Sequence, residues 1–274
     1  MRRGWRKLGW AAAGLGLIIF SLTPFLWFVL TSLKTQVEVT AIPPTLWPAG
    51  SLGFYRSALE NYGLLDFLRN SAIVAGGSTL LCLGLAVPAA FALARLRLPY
   101  KGLILGALLL VSMFPQISLA GPVWRILRAV GWLNTYQGLI LPYTTFTLPL
   151  GVWVLTSFFR ELPFELEEAA LTDGCTRFQA LSKVMLPLAA PGVFTAAILV
   201  FIYAWNEFFF ALLIMTQRNV QTLPVGIALF QGEFTMPWGE IAAASTVAVL
   251  PLVVVVFLFQ RRIVRGLAAG ALKG

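Results

Sequence analysis

The chain has 274 residues, of which 59% are hydrophobic and only 11% charged; its formal net charge is +9 and its mean hydropathy +0.84. A soluble domain of this size carries about 25% charged residues, and the uncharged runs here exceed the ~20 residues a helix needs to cross a bilayer. An ordinary globular protein is therefore excluded, and an all-α, polytopic membrane protein of one domain is expected.

Other chemistries fall away on residue type. The basic residues lie at the ends of apolar runs, which ties the positive charge to membrane topology and lipid rather than to nucleic acid. There is no histidine, and Cys82 sits in an apolar run while Cys175 sits in a polar one, so neither a disulfide nor a zinc cluster is expected. No Gly-Lys dipeptide occurs, so a Walker A loop is absent, and the usual nucleophile–base pairs are missing. The chain offers no catalytic residue, no metal ligand and no cofactor site of its own. If ATP is used, another chain hydrolyses it.

In chain order, Arg2, Arg3, Arg6 and Lys7 precede an uncharged run from Leu8 to Leu33, 26 residues long. A secretory signal has an apolar core of only ~7–15 residues, so this run reads as a retained first span, with a bend at Pro24. Lys34 to Arg69 is polar and rich in turn residues, yet Phe54, Ala58 and Tyr62 share one helical face, predicting a short surface helix. The second span is 70–94, where Ala86, Ala90 and Ala94 recur every fourth residue and would admit a close helix neighbour. After Arg95, Arg97 and Lys101 comes a third span, 102–124, with Gly102 and Gly106 at GxxxG spacing and Pro115 inside it. The fourth is 136–159, where Pro142 and Pro149 suggest bends.

The longest polar interruption in the second half, residues 161–190, reads as two short helices with a turn between them. Pro163 suits a helix start, and Glu165, Glu167 and Glu168 follow where the helix dipole favours anions. Gly174 is a natural C-terminal cap. Thr176 and Gln179 are spaced as a capping box, and Phe178, Leu181 and Met185 recur at helical spacing until Pro187. Leu166, Ala169 and Ala170 form a shallow apolar face that either fits a groove on a partner or is an ordinary interfacial loop. A fifth span, 191–216, carries Glu207, and a sixth, 241–260, leads into Arg261, Arg262, Arg265 and a glycine-rich tail. With the N-terminus inside, 14 Lys and Arg fall on inner segments and 6 on outer ones, placing both termini and the polar loop in the cytoplasm.

The loop carries a resemblance. Glu168-Ala169-Ala170, Gly174 and Val184-Met185-Leu186-Pro187, at their fixed gaps, resemble the EAA motif of binding-protein-dependent ABC importer permeases; the one departure is valine where isoleucine is commoner at 184. Asp173 also fits. Asn70-Ser71, Leu133-Asn134-Thr135-Tyr136, Leu139 to Pro142, Ala204 to Phe208, Thr222 to Gly226 and the tail Gly266 to Gly274 are similar to the smaller, six-span permease of carbohydrate importers of the maltose and glycerol-phosphate type.

The resemblance implies a type I importer permease fold with a cytoplasmic coupling helix, in a bacterial or archaeal inner membrane. It implies two ATP-binding subunits that hold ATP and Mg, a second and different permease chain, and an extracytoplasmic sugar-binding protein. Glu168, Ala169, Ala170, Asp173, Gly174, Leu186 and Pro187 are the expected coupling residues. The tail is implied to lie against the ATPase dimer; an unstructured end is the alternative.

A carboxylate inside a span costs roughly 2.5–3.5 kcal/mol at its centre. Trp205, Asn206 and Glu207 therefore either line or gate a sugar path, pack two permeases together, or serve as an aromatic belt with Glu207 reaching the headgroups. An ion-coupled secondary transporter is the rival function and a membrane-bound enzyme a second one. Only one buried carboxylate candidate and no visible internal repeat count against the carrier.

Overall fold

A computed structural model describes the backbone of residues 2–230 and 236–271 and the side chains of 10–230 and 236–257. The described chain divides into two compact units: Met1–Leu65 with Gly226–Pro251, and Asp66–Val225 with Leu252–Gly274. All regular elements among the described residues are helical. In order they are α1 (Arg2–Ser32), α2 (Gln36–Val39), α3 (Gly53–Glu60), α4 (Leu64–Arg95), α5 (Lys101–Ser112), α6 (Ala120–Ala129), α7 (Tyr136–Glu161), α8 (Phe164–Thr172), α9 (Arg177–Ala180), α10 (Leu186–Leu188), α11 (Ala190–Asn206), α12 (Phe209–Ile214), α13 (Leu223–Ala228) and α14 (Trp238–Ala271).

Among the described residues, four unbroken helices are long and apolar enough to cross a membrane: Trp10–Ser32, Leu64–Arg95, Tyr136–Glu161 and Trp238–Phe257. Two further pairs, bent by 83° and 80°, bring the number to six if each is one span. Proline does not end the long helices, since Pro24, Pro88, Pro142, Pro149 and Pro251 all lie inside continuous ones. At Pro115 the outcome differs. The segment 102–124 is not one straight span: α5 stops at Ser112, a 3₁₀ turn covers Gln116–Leu119, and α6 leaves at 83°. Proline lacks an N–H and drives the residue before it out of helical geometry, which accounts for the break. The 12 residues of α5 reach only ~18 Å at 1.5 Å per residue.

In the first unit, α1 exposes every side chain from Trp10 to Val29. A helix that is apolar all round belongs in lipid or against another membrane chain. The face anticipated for the surface helix is present: Phe54 and Ala58 of α3 are buried, and Tyr62, just past its end, stacks on Phe230 at 4.4 Å. Gly239 is seated on the Phe54 ring, where any Cβ would meet ring carbons at 2.3 Å. Before α3, Thr35 and Glu38 form a capping box that the sequence reading did not single out.

In the second unit, the alanine stripe does what its spacing suggests. Ala86, Ala90 and Ala94 are buried with Val152, Leu155 and Phe159 of α7. A Cβ on Gly151 would sit 3.3 Å from Cys82 Sγ and 3.4 Å from Ala86 Cβ, so small residues on both helices let α4 and α7 approach closely. Gly102 and Gly106, by contrast, would have nothing within 4 Å of an added Cβ, so no described residue uses their GxxxG spacing for a close approach. The helix of the tail runs to Ala271; Leu272, Lys273 and Gly274, on which the tail reading also rests, lie outside the described residues, as do residues 231–235.

Candidate coupling surface

The polar loop folds into a compact corner whose geometry follows from its residues. Leu162 is extended (φ −71°, ψ 141°), as a residue before proline should be, and Pro163 caps α8. At the other end Gly174 takes φ +86°, and the Cys175 and Gly174 N–H groups donate to the carbonyls of Ala170 and Leu171 at 3.0 and 3.1 Å. This is a full Schellman closure, which needs the left-handed residue that glycine supplies. The Thr176–Gln179 capping box then forms: Gln179 Oε1 accepts from Thr176 N at 2.8 Å, and Thr176 Oγ1 from Gln179 N at 3.3 Å. Leu181–Met185 is a π turn. Pro187 cannot donate into the helix there, and such widened turns form where a helical ladder is interrupted. At Ala189 the chain turns by 80° into α11.

Burial divides the corner into two sides. Ala170, Ala180, Leu181 and Met185 are buried, with Leu166, Val184 and Leu186 packed partly against the same core. Glu168, Ala169, Asp173, Gly174 and Pro187 are exposed. Of the expected coupling residues, Ala170 and Leu186 therefore face this chain's own core, while the other five form the outward side. Phe178, expected to join the apolar face, is 74% exposed instead and lies on the outward side too.

The Trp205–Glu207 stretch is not a continuous helix. α11 ends at Asn206, Glu207 is extended (φ −67°, ψ 129°), and α12 starts at Phe209. Glu207 Oε1 accepts from Phe210 N at 2.9 Å and Oε2 from Ala211 N at 3.2 Å. The same Oε2 accepts the hydroxyl proton of Tyr143 on α7. A carboxylate over a helix N-terminus satisfies otherwise orphaned donors and the dipole together. Trp205 is buried and stacks on Phe201 at 5.5 Å; Asn206 is exposed and donates from Nδ2 to Ile202 O at 2.8 Å. The three residues thus point to different surroundings. Nothing in the spacing flagged Tyr143; a phenol inside an apolar span was the available clue.

The short motifs scattered along the sequence converge at another point of the second unit. Asn70 Nδ2 donates to the carbonyls of Asn219 and Gln221 at 3.0 and 2.9 Å, and Asn70 Oδ1 accepts from Tyr136 Oη at 2.7 Å. Ser71 Oγ accepts from Leu223 N at 2.7 Å. Asn134, at φ +59°, accepts from Gln217 N at 2.9 Å. These residues tie the starts of α4 and α7 to the segment after α12. In the first unit, a cavity of about 360 Å³ is lined by Trp27, Thr31, Lys34, Glu38 and Trp238, among others. Lys34 Nζ lies 4.4 Å from the Trp27 ring centroid there.

Residues 84–269 match the family described as binding-protein-dependent transport system inner membrane component. The chain is 48% identical over 259 residues to the sulfoquinovosyl glycerol transport system permease protein of Agrobacterium fabrum, covering 94% of this chain and 91% of that protein. It is 44% identical to the trehalose/maltose transport system permease protein of Thermococcus litoralis, covering 93% of each. It is 45% identical to the trehalose transport system permease protein of Mycobacterium tuberculosis, covering 98% of each. In fold it is similar to a chain of a bacterial ABC transporter involved in the import of the acidic polysaccharide alginate, with a TM-score of 0.80, 21% identity, and 94% and 97% of the two chains covered. A second alginate transporter structure, in complex with an alginate pentasaccharide-bound periplasmic protein, gives a TM-score of 0.67 at 16% identity, covering 93% of this chain and 94% of that one.

Proposed function

The chain belongs to the family of binding-protein-dependent transport system inner membrane components, and from that premise we propose that it is one half of the membrane pathway of an ATP-driven carbohydrate importer. The whole chain acts as one multi-pass permease domain. A second, unlike permease completes the pathway, an extracytoplasmic binding protein delivers the sugar, and two ATP-binding subunits hold ATP and Mg and hydrolyse it. The relatives' sugars support a carbohydrate cargo: trehalose, maltose and a sulfoquinovosyl glycerol. The family premise also removes the basis for an ion-coupled carrier.

The observation that carries the reading is the outward side of the α8–α10 corner. Glu168, Ala169, Asp173 and Gly174 are presented together, held by a rigid cap on one side and a buried face on the other. Small residues at 169 and 174 let a partner's groove come close to backbone, and Glu168 and Asp173 offer it charge. Closure of the ATP-binding pair draws such corners of the two permeases together and turns the pathway from inward- to outward-facing. Both termini and this corner lie in the cytoplasm, in keeping with the distribution of Lys and Arg.

Cross-linking from Ala169→Cys in cells tests it. Capture of a nucleotide-hydrolysing chain is expected, and its consistent absence would overturn the reading. Orientation has its own test: Cys175 should react with a membrane-impermeant maleimide only after the cells are opened.

A further inference from the structure

The side chain that meets the joint before the coupling corner is not in the EAA stretch but at the far end of α4. Arg95 closes that helix and is 7% exposed. Its Nη2 donates to Leu162 O at 2.5 Å, the carbonyl at the joint between α7 and α8. Its guanidinium carbon sits 4.4 Å from the ring centroid of Phe164, the first residue of α8. One side chain therefore grips the last carbonyl of the span and the first side chain of the coupling helix. A cation at a helix C-terminus and over an aromatic face is favourable on both counts.

The grip is also incomplete. Arg95 Nε and Nη1 are buried and have no hydrogen-bond partner among the described residues. Leaving two charged N–H groups dry and unpaired is costly, and native structures rarely do so without a reason. The carboxylates whose charge acts on Arg95 are Glu167 and Glu165. Glu167 is itself buried, one turn along α8 from Phe164, and makes no salt bridge to Arg95 here. A movement of α8 about the Leu162–Pro163 joint that brought the Glu167 carboxylate to those two donors would pair them.

We propose that Arg95 is a positioning residue that transmits movement of α8 to the membrane helices, trading its unpaired donors for the Glu167 carboxylate as the coupling helix shifts. Its grip then has two discrete settings, and a two-setting element between a motor and a pathway is what coupling requires. The inference rests on the proposed function and names a residue that function alone does not single out.

The test uses the assembled transporter in proteoliposomes, with Arg95→Met, Arg95→Lys and Glu167→Gln compared for assembly, ATP hydrolysis and uptake. All three are expected to assemble and hydrolyse ATP while uptake per ATP falls about tenfold. Lysine is not expected to restore it, because a point charge lacks the planar fork and stacking face. An unchanged ratio of uptake to hydrolysis, or full restoration by lysine, would overturn the proposal. Should Arg95→Met fail to assemble, the lysine and Glu167→Gln variants decide by the same ratio.

A measurement on the chain itself separates this idea from the wider reading. Spin labels on Cys175 and on Leu98→Cys report the angle of the corner whether or not an ATPase binds, Cys82 being buried. A broadened distance distribution in Arg95→Lys supports the proposal, and an unchanged one overturns it. A native chain that captures no ATP-binding partner would count against the proposed function only.

Discussion

Tyr143 on α7 donates its hydroxyl proton to Glu207, the residue at which the fifth span breaks, and that carboxylate at the same time caps the N-terminus of α12. Both carboxylate oxygens are therefore occupied within this chain. Tyr143→Phe should lower stability by about 1–3 kcal/mol, because it leaves a partly buried acceptor one donor short. Glu207→Ala should cost more, since three donors lose their partner. The midpoint of thermal unfolding in detergent reads both, and an unshifted midpoint in Glu207→Ala would show that the cap contributes nothing.

Gly174 is a position of backbone strain rather than of crowding. Its φ is +86° and a built Cβ meets nothing within 4 Å. Gly174→Ala should cost about 1 kcal/mol through the left-handed backbone alone, with Gly174→Asn milder. Gly174→Trp finds open space in this chain, so insertion should be retained; uptake should nonetheless fail, because the ring covers the outward side of the corner. Normal uptake by Gly174→Trp would argue strongly against docking there.

Gly192 is the opposite case. A Cβ there would meet Phe158 at 2.3 Å, so the start of α11 rests directly on that ring. Gly192→Ala should destabilise by about 1–3 kcal/mol through overpacking, and Phe158→Leu should restore much of the loss. A double-mutant cycle in thermal unfolding would show the coupling; strict additivity would refute the contact.

Glu38 makes the loop after α1 sensitive to acid. Its carboxyl is held below the ordinary glutamate range chiefly by the Thr35 N–H; burial acts the other way, and the Ala49 N–H, the Thr35 hydroxyl and the Lys34 charge add to the lowering. Because the folded loop favours the ionised form, its contribution is complete above the ordinary glutamate range. It fades as pH falls through the lowered value. A spin label at Val37→Cys should be ordered at neutral pH and gain mobility on acidification, while Glu38→Ala should be mobile throughout. A label indifferent to pH in the native background would contradict this.

Much of the architecture could be read in advance, because the signals are local or periodic. Length of apolar run identified α1, α4, α7 and α14, and four-residue spacing identified the alanine stripe. Backbone chemistry located the Gly174 cap and the Thr176–Gln179 box. The breaks at Pro115 and Glu207 were harder. Proline interrupts α5–α6 yet leaves α7 intact at Pro142 and Pro149, and the identity of the residue is the same in each case.

The sequence by itself determined that this is a multi-pass membrane chain with an EAA loop, because hydropathy, charge asymmetry and motif spacing are properties of residues in order. Only tertiary structure decided which side of the loop faces outward, that Arg95 grips the joint before it, and that Asn70, Tyr136 and Gln221 meet at one point. Those facts join residues about 66 to 151 positions apart, and a contact across such a distance exists only once the helices have packed.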